Sequence, residues 1–149
     1  MNKYEEKARA LFLEGYNCAQ AVTAAFAEEI GMDEKKALSL SSPFGGGMGR
    51  MREVCGAVSA MWIILGAREG YTDPKDHEVK KKTYATVQEI AARFREENGS
   101  IICRELLGID SDGATPTKRT DEFYKKRPCV QLVKMCAEIM DEIIAEKGL

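Results

Sequence analysis

Histidine is nearly absent: His77 stands alone among 149 residues. Its setting, DPKDHEVKKK, alternates acids and bases, so it reads as a solvated helix position, and triad or hydrolase chemistry is disfavoured. An excess of one charge is missing too. The 22 Lys plus Arg are interspersed with 24 Asp plus Glu, for a net charge of −2. Nothing there makes the basic field that nucleic acid binding requires. Long apolar runs are also lacking. The most apolar stretch, Ala57 to Ala67, is about half of the roughly 20 residues that a membrane-spanning helix needs. The N-terminal MNKYEEKARALFLEG has no uninterrupted apolar core of the signal-peptide kind. These absences lead to the expectation of a cytoplasmic protein that binds neither membrane nor nucleic acid.

Period-two alternation is missing as well, as are internal repeats and low-complexity tracts. What the chain does have is helical punctuation. The length and the 44% hydrophobic content suit one domain over 1–149. Residues 3–14 carry an apolar stripe and stop at Gly15. Asn17 and Gln20 form a capping-box pattern that opens a helix running to Gly31. Asp33 starts a short helix that Pro43 ends. Further helices are expected from near Met51 to Gly66, over 74–97, from Ser100 to Gly108, and from Pro128 through CVQLVKMCAEIMDEIIAEK. Residues 109–118 read as a loop, and a charged turn precedes Pro128. The fold class is all-α, a single-domain bundle of about seven helices. The acid pairs Glu28-Glu29 and Glu96-Glu97 fall near helix ends and read as surface charge.

Five cysteines in a reducing compartment point to thiol chemistry rather than to disulfide staples. Cys18, Cys103 and Cys129 are expected in the first turns of separate helices, and Cys55 near the start of a fourth. A helix N-terminus stabilises a thiolate, which is both the nucleophile and the metal ligand of cysteine chemistry. Cys136 differs: it lies on the apolar face of the last helix and reads as core.

The segment FGGGMGRMREVCGAVSA places Gly45, Gly46, Gly47 and Gly49 just ahead of Cys55. Such a loop lets backbone pass close to a neighbour or a bound group, or serves only as a permissive turn. It is no dinucleotide fingerprint, because no strand precedes it and the third glycine of GxGxxG is absent. Gly56, Ala57, Ser59 and Ala60 strip one helix side of bulk, which admits either a cofactor or a packed helix. Arg50, Arg52 and Arg104 could offset the charge of a bound group, although each reads first as a solvated surface residue.

GYNCAQAV, FGGGMG with CGAVSA, CRELLG and a later single cysteine together resemble the C_GCAxxG_C_C family, redox-active proteins named for their cysteine pattern. The resemblance spans Gly15 to Cys129. It implies that Cys18, Cys55, Cys103 and Cys129 are the four functional cysteines, used in redox chemistry with a prosthetic group such as an iron–sulfur cluster. Gly45, Gly46, Gly47 and Gly56 are the expected cofactor-binding glycines. The family's CGAxxG reads CGAVSA here, with Ala60 in place of the final glycine.

Four readings follow. The first is a four-thiolate iron–sulfur site, most simply a [2Fe–2S] centre, for electron transfer; the cysteines lie too far apart in sequence to show any ferredoxin spacing. The second is a structural zinc site with four cysteines, again without the usual short-spaced pairs. The third is a metal-free thiol–disulfide oxidoreductase or sensor, in which Cys55 or Cys129 attacks. The fourth is a helical interaction module with buried cysteines. Whether the chain is an enzyme or an electron carrier stays open, and no residue names the redox partner. Small-residue faces and the apolar last helix favour a homodimer, which light scattering would test.

Overall fold

The computed structural model describes residues 1–149 and is all-helical. Eight helices follow in order: α1 (Lys3–Leu13), α2 (Cys18–Ala25), α3 (Glu34–Ser41), α4 (Gly56–Glu69), α5 (His77–Asn98), α6 (Cys103–Leu107), α7 (Asp121–Lys126) and α8 (Cys129–Lys147). A 3-10 turn at Ser42–Phe44 follows α3. No helix is long and apolar enough to cross a membrane.

The centre of the bundle is α2, which packs against α1, α3, α4 and α8. Its sequence, CAQAVTAA, is apolar on nearly every side, and Ala19, Ala21, Val22, Thr23 and Ala24 are fully buried. A helix without a polar face is stable only inside other helices. The expected capping box forms, with Asn17 accepting from the Gln20 N–H while Gln20 accepts from the Asn17 N–H. The Asn17 amide also donates to the Ser42 carbonyl at 3.1 Å, tying the start of α2 to the chain that enters the glycine loop. The outer α5 packs on α4 and α8 with Ile90 and Phe94 buried. His77, at its first turn, is exposed as expected.

Several boundaries differ from the sequence reading. The second helix ends at Ala25, because Phe26 leaves helical geometry (φ −104°, ψ 11°) to bury its ring against Tyr4 at 4.2 Å. The fourth begins at Gly56 rather than near Met51, since the backbone of residues 52–55 is engaged elsewhere, and it runs past Gly66 to Glu69. The fifth begins at His77, where the Asp76 side chain accepts from the Val79 N–H. The sixth begins at Cys103 because Ser100 Oγ takes up the Ile102 N–H at 2.9 Å. The charged turn before Pro128 is in fact α7. Thr120 caps it through the Phe123 N–H, and DEFYKK sets its acids in the first turn and its lysines in the last, which suits the helix dipole.

One short antiparallel contact was invisible in the sequence. Val54 pairs with Ile102, the Cys55 N–H donates to the Ile101 carbonyl at 2.8 Å, and the Cys103 N–H donates to the Glu53 carbonyl at 2.6 Å. This bridge ties the approach to α4 to the approach to α6, and with it two cysteines far apart in sequence.

Candidate functional site

Each of the four motif cysteines stands at a helix start. Cys18, Cys103 and Cys129 are the first residues of α2, α6 and α8, and Cys55 is the N-cap of α4. All four line a single cavity of about 680 Å³. Three devices bring them together. The bare face of Gly56 lets α4 approach α2, the Val54–Ile102 bridge sets Cys55 beside Cys103, and Arg119 ties α7, which leads into α8, to the end of α1. Arg119 donates to the carbonyls of Phe12 and Tyr16 while its guanidinium lies 4.4 Å from the Phe12 ring and 4.8 Å from the Phe123 ring.

The glycine loop is wound in an unusual sense. Gly46, Gly47, Met48, Gly49 and Arg50 are five consecutive residues with positive φ, and Arg52 also has φ 60°. A left-handed non-glycine residue costs roughly 1–2 kcal/mol, so Met48, Arg50 and Arg52 store strain that the surroundings must hold. Six backbone N–H groups, from Met48 to Glu53, donate to carbonyls between Pro43 and Met48, and these bonds do the holding. At Gly47 a side chain would be excluded twice over. Its φ is 70°, and an added Cβ would lie 2.6 Å from the Cys103 Cβ. Gly45, Gly46 and Gly56 line the cavity, whereas Gly47 instead makes room for Cys103.

The electrostatics depart from the expectation of ready thiolates. Burial pushes the Cys18 thiol up, and the Gly46 amide offsets only part of this. Cys55 is raised by burial and then by the neighbouring Cys18; the amides of Val58 and Ala57 partly compensate but form no capping hydrogen bond. Cys129 is pushed up to about 12 by burial and by Cys18, against the pull of Arg127. Desolvation therefore outweighs the helix N-termini at these three positions.

The cavity is lined by Arg50, Arg52, Arg119 and Arg127 and by no Asp or Glu. Arg52 corrects the solvated reading: it is 1% exposed, and its Nη1 donates to Cys103 Sγ at 3.7 Å. Arg50 is also largely covered. It donates to the Gly113 carbonyl, Thr117 Oγ1 and Asp112 Oδ1, and so fastens the 109–118 loop beside the cavity. Arg104 remains at the surface, paired with Glu53. The missed signal was the run GGGMGRMR, whose backbone winding turns Arg52 inward. No pattern of spacing announces that.

The donor set is all thiol, which suits iron–sulfur clusters and zinc alike. No three His, Cys, Asp or Glu side chains stand close enough to hold one metal ion. A structural zinc site of four cysteines needs all the sulfurs at one centre. A polynuclear cluster spreads its four thiolates over several metal atoms, and the lined cavity gives it room.

Cys136 lies outside the cavity lining, fully buried within the hydrophobic core on α8, as expected. Cys136→Ser should cost about 1–3 kcal/mol by burying a hydroxyl, read as a lower midpoint in urea, with iron uptake unchanged. Ala60 is equally buried, and its methyl is part of the same core.

No curated protein and no solved structure matches the chain. The profile of the family described as "Putative redox-active protein (C_GCAxxG_C_C)" matches residues 16–143, taking in all four site cysteines, and the chain belongs to that family.

Proposed function

We propose that this chain is an electron-transfer protein in which Cys18, Cys55, Cys103 and Cys129 hold an iron–sulfur cluster, most simply [2Fe–2S]. One observation carries this reading: four thiols from four helix starts line a single cavity whose only charged side chains are arginines. Such a cluster stores and releases single electrons without bond rearrangement in the protein. The chain's own residues supply the rest. Glycines at 45, 46 and 56 keep the backbone close to the cavity, Arg52 sets positive charge on Cys103, and Cys55 and Cys103 are buried.

Coordination drives off thiol protons, so thiols raised by burial are no obstacle to metal binding. The raised Cys55 and Cys129 thiols weigh against the metal-free exchange in which one of them attacks. The family membership weighs against a purely structural module.

The test is anaerobic reconstitution with iron and sulfide, followed by metal and sulfide analysis. The loaded protein should be brown, absorb in the visible and bleach on reduction. Protein that takes up no iron yet cycles between dithiol and disulfide at a defined potential would move the function to thiol exchange.

A further inference from the structure

The cavity holds more positive charge than its thiols engage. Four arginines line it in a chain of net charge −2, and two of them are already committed. Arg50 is bound by three oxygens of the 109–118 loop, and Arg119 by two carbonyls of the α1 end. Arg52 and Arg127 are left.

Arg52 is buried, and only its Nη1 has a hydrogen-bond partner, the sulfur of Cys103. Its Nε and Nη2 have none. Asp112 Oδ1 makes an ion pair with Nη2 at 3.9 Å, too long for a hydrogen bond, and hydrogen-bonds Arg50 instead at 2.7 Å. The two free groups form one edge of the guanidinium, whose parallel N–H bonds match a pair of oxygens on one carboxylate or phosphate. Buried N–H groups without a hydrogen-bond acceptor are costly to keep. Arg127 stacks 4.7 Å from the Phe123 ring and makes no salt bridge. Phe12, Leu106, Phe123 and Leu132 give the wall an apolar part beside the polar Asn17, Gln20, Ser42 and Thr117, and the volume of about 680 Å³ falls in the small-ligand range of roughly 300–1,000 Å³.

We propose that the cavity binds a small organic oxyanion beside the thiols, its carboxylate or phosphate head on the free edge of Arg52, its charge shared by Arg127, and its carbon body along the apolar wall. This names a substrate class for the redox site described above. The word substrate rests on that reading, but the binding itself rests on the cavity alone.

The experiment is calorimetric titration of the full chain, metal-free and iron-loaded, with benzoate and phenyl phosphate at matched ionic strength, and with neutral benzamide as control. One-to-one saturation by an anionic probe in both forms is expected, benzoate if the head is a carboxylate and phenyl phosphate if it is a phosphate. Arg52→Gln and, separately, the less buried Arg127→Gln should each weaken it at least about tenfold, with the helical circular dichroism unchanged. Arg93→Gln, on the far surface among Glu89, Glu142 and Glu146, should leave it unaltered. Equal binding of benzamide, no binding of either anion, or indifference to both arginine variants would overturn the proposal. So would binding that vanishes on iron loading, since Arg52 would then be the counter-charge of the cluster. Anion binding in a chain that never takes up iron would leave this inference standing and remove the cluster reading.

Discussion

Cys55→Ser protein, reconstituted anaerobically with iron and sulfide, is expected to stay colourless and to retain no stoichiometric iron while its fold survives. Cys55 is the substitution that best separates ligand loss from unfolding. It is the N-cap of α4, buried, and makes no capping hydrogen bond of its own. Serine is among the best N-cap residues and is worth about 1 kcal/mol there, through acceptance from the second or third N–H of the helix. That gain works against the roughly 1–3 kcal/mol cost of a buried hydroxyl. The net change should be about 1 kcal/mol, or a Tm shift of about 2–4 °C for a chain of this size. Iron analysis and visible absorption read the site, and circular dichroism reads the fold. Iron uptake at the wild-type level would remove Cys55 from the ligand set and with it the proposed function.

Gly56→Ala is expected to lower both stability and cofactor uptake, although it changes no ligand and keeps a good helix former in α4. A Cβ there would lie 2.7 Å from Cys18 Sγ, 2.7 Å from the Phe44 carbonyl oxygen and 3.3 Å from the Ala19 N. The thiol can swing aside, but the carbonyl cannot move freely, because it accepts the Met48 N–H that begins the left-handed loop. Overpacking of this kind costs about 1–3 kcal/mol, and the displacement falls on the α2–α4 contact that aligns Cys18 with Cys55. Gly66→Ala is the matched control. Gly66 is on the same helix, exposed, and has nothing within 4 Å of an added Cβ, so the change should stabilise by about 0.5–1 kcal/mol. Denaturant midpoints and iron content for the pair give the answer. Equal behaviour of the two variants would mean that the close approach at Gly56 does not shape the site.

Much of this protein was determined by local sequence. The Asn17–Gln20 capping box, the stops at Gly15, Gly99 and Gly108, and the 3.6-residue periodicity of α5 and α8 act over one or two turns, where propensity and capping energies suffice. The same rules put Cys18, Cys103 and Cys129 at helix starts and Cys136 on a core face. Only the tertiary structure decided how those starts meet. The Val54–Ile102 bridge joins segments whose pairing depends on neither periodicity nor turn residues. The inward turn of Arg52 depends on positive φ angles that the hydrogen bonds of the folded loop impose on non-glycine residues. The sign of the thiol shifts was also a tertiary matter. A helix N-terminus acts within a single turn and favours the thiolate, whereas desolvation sums over every element packed around the sulfur, and at Cys18, Cys55 and Cys129 that sum prevails.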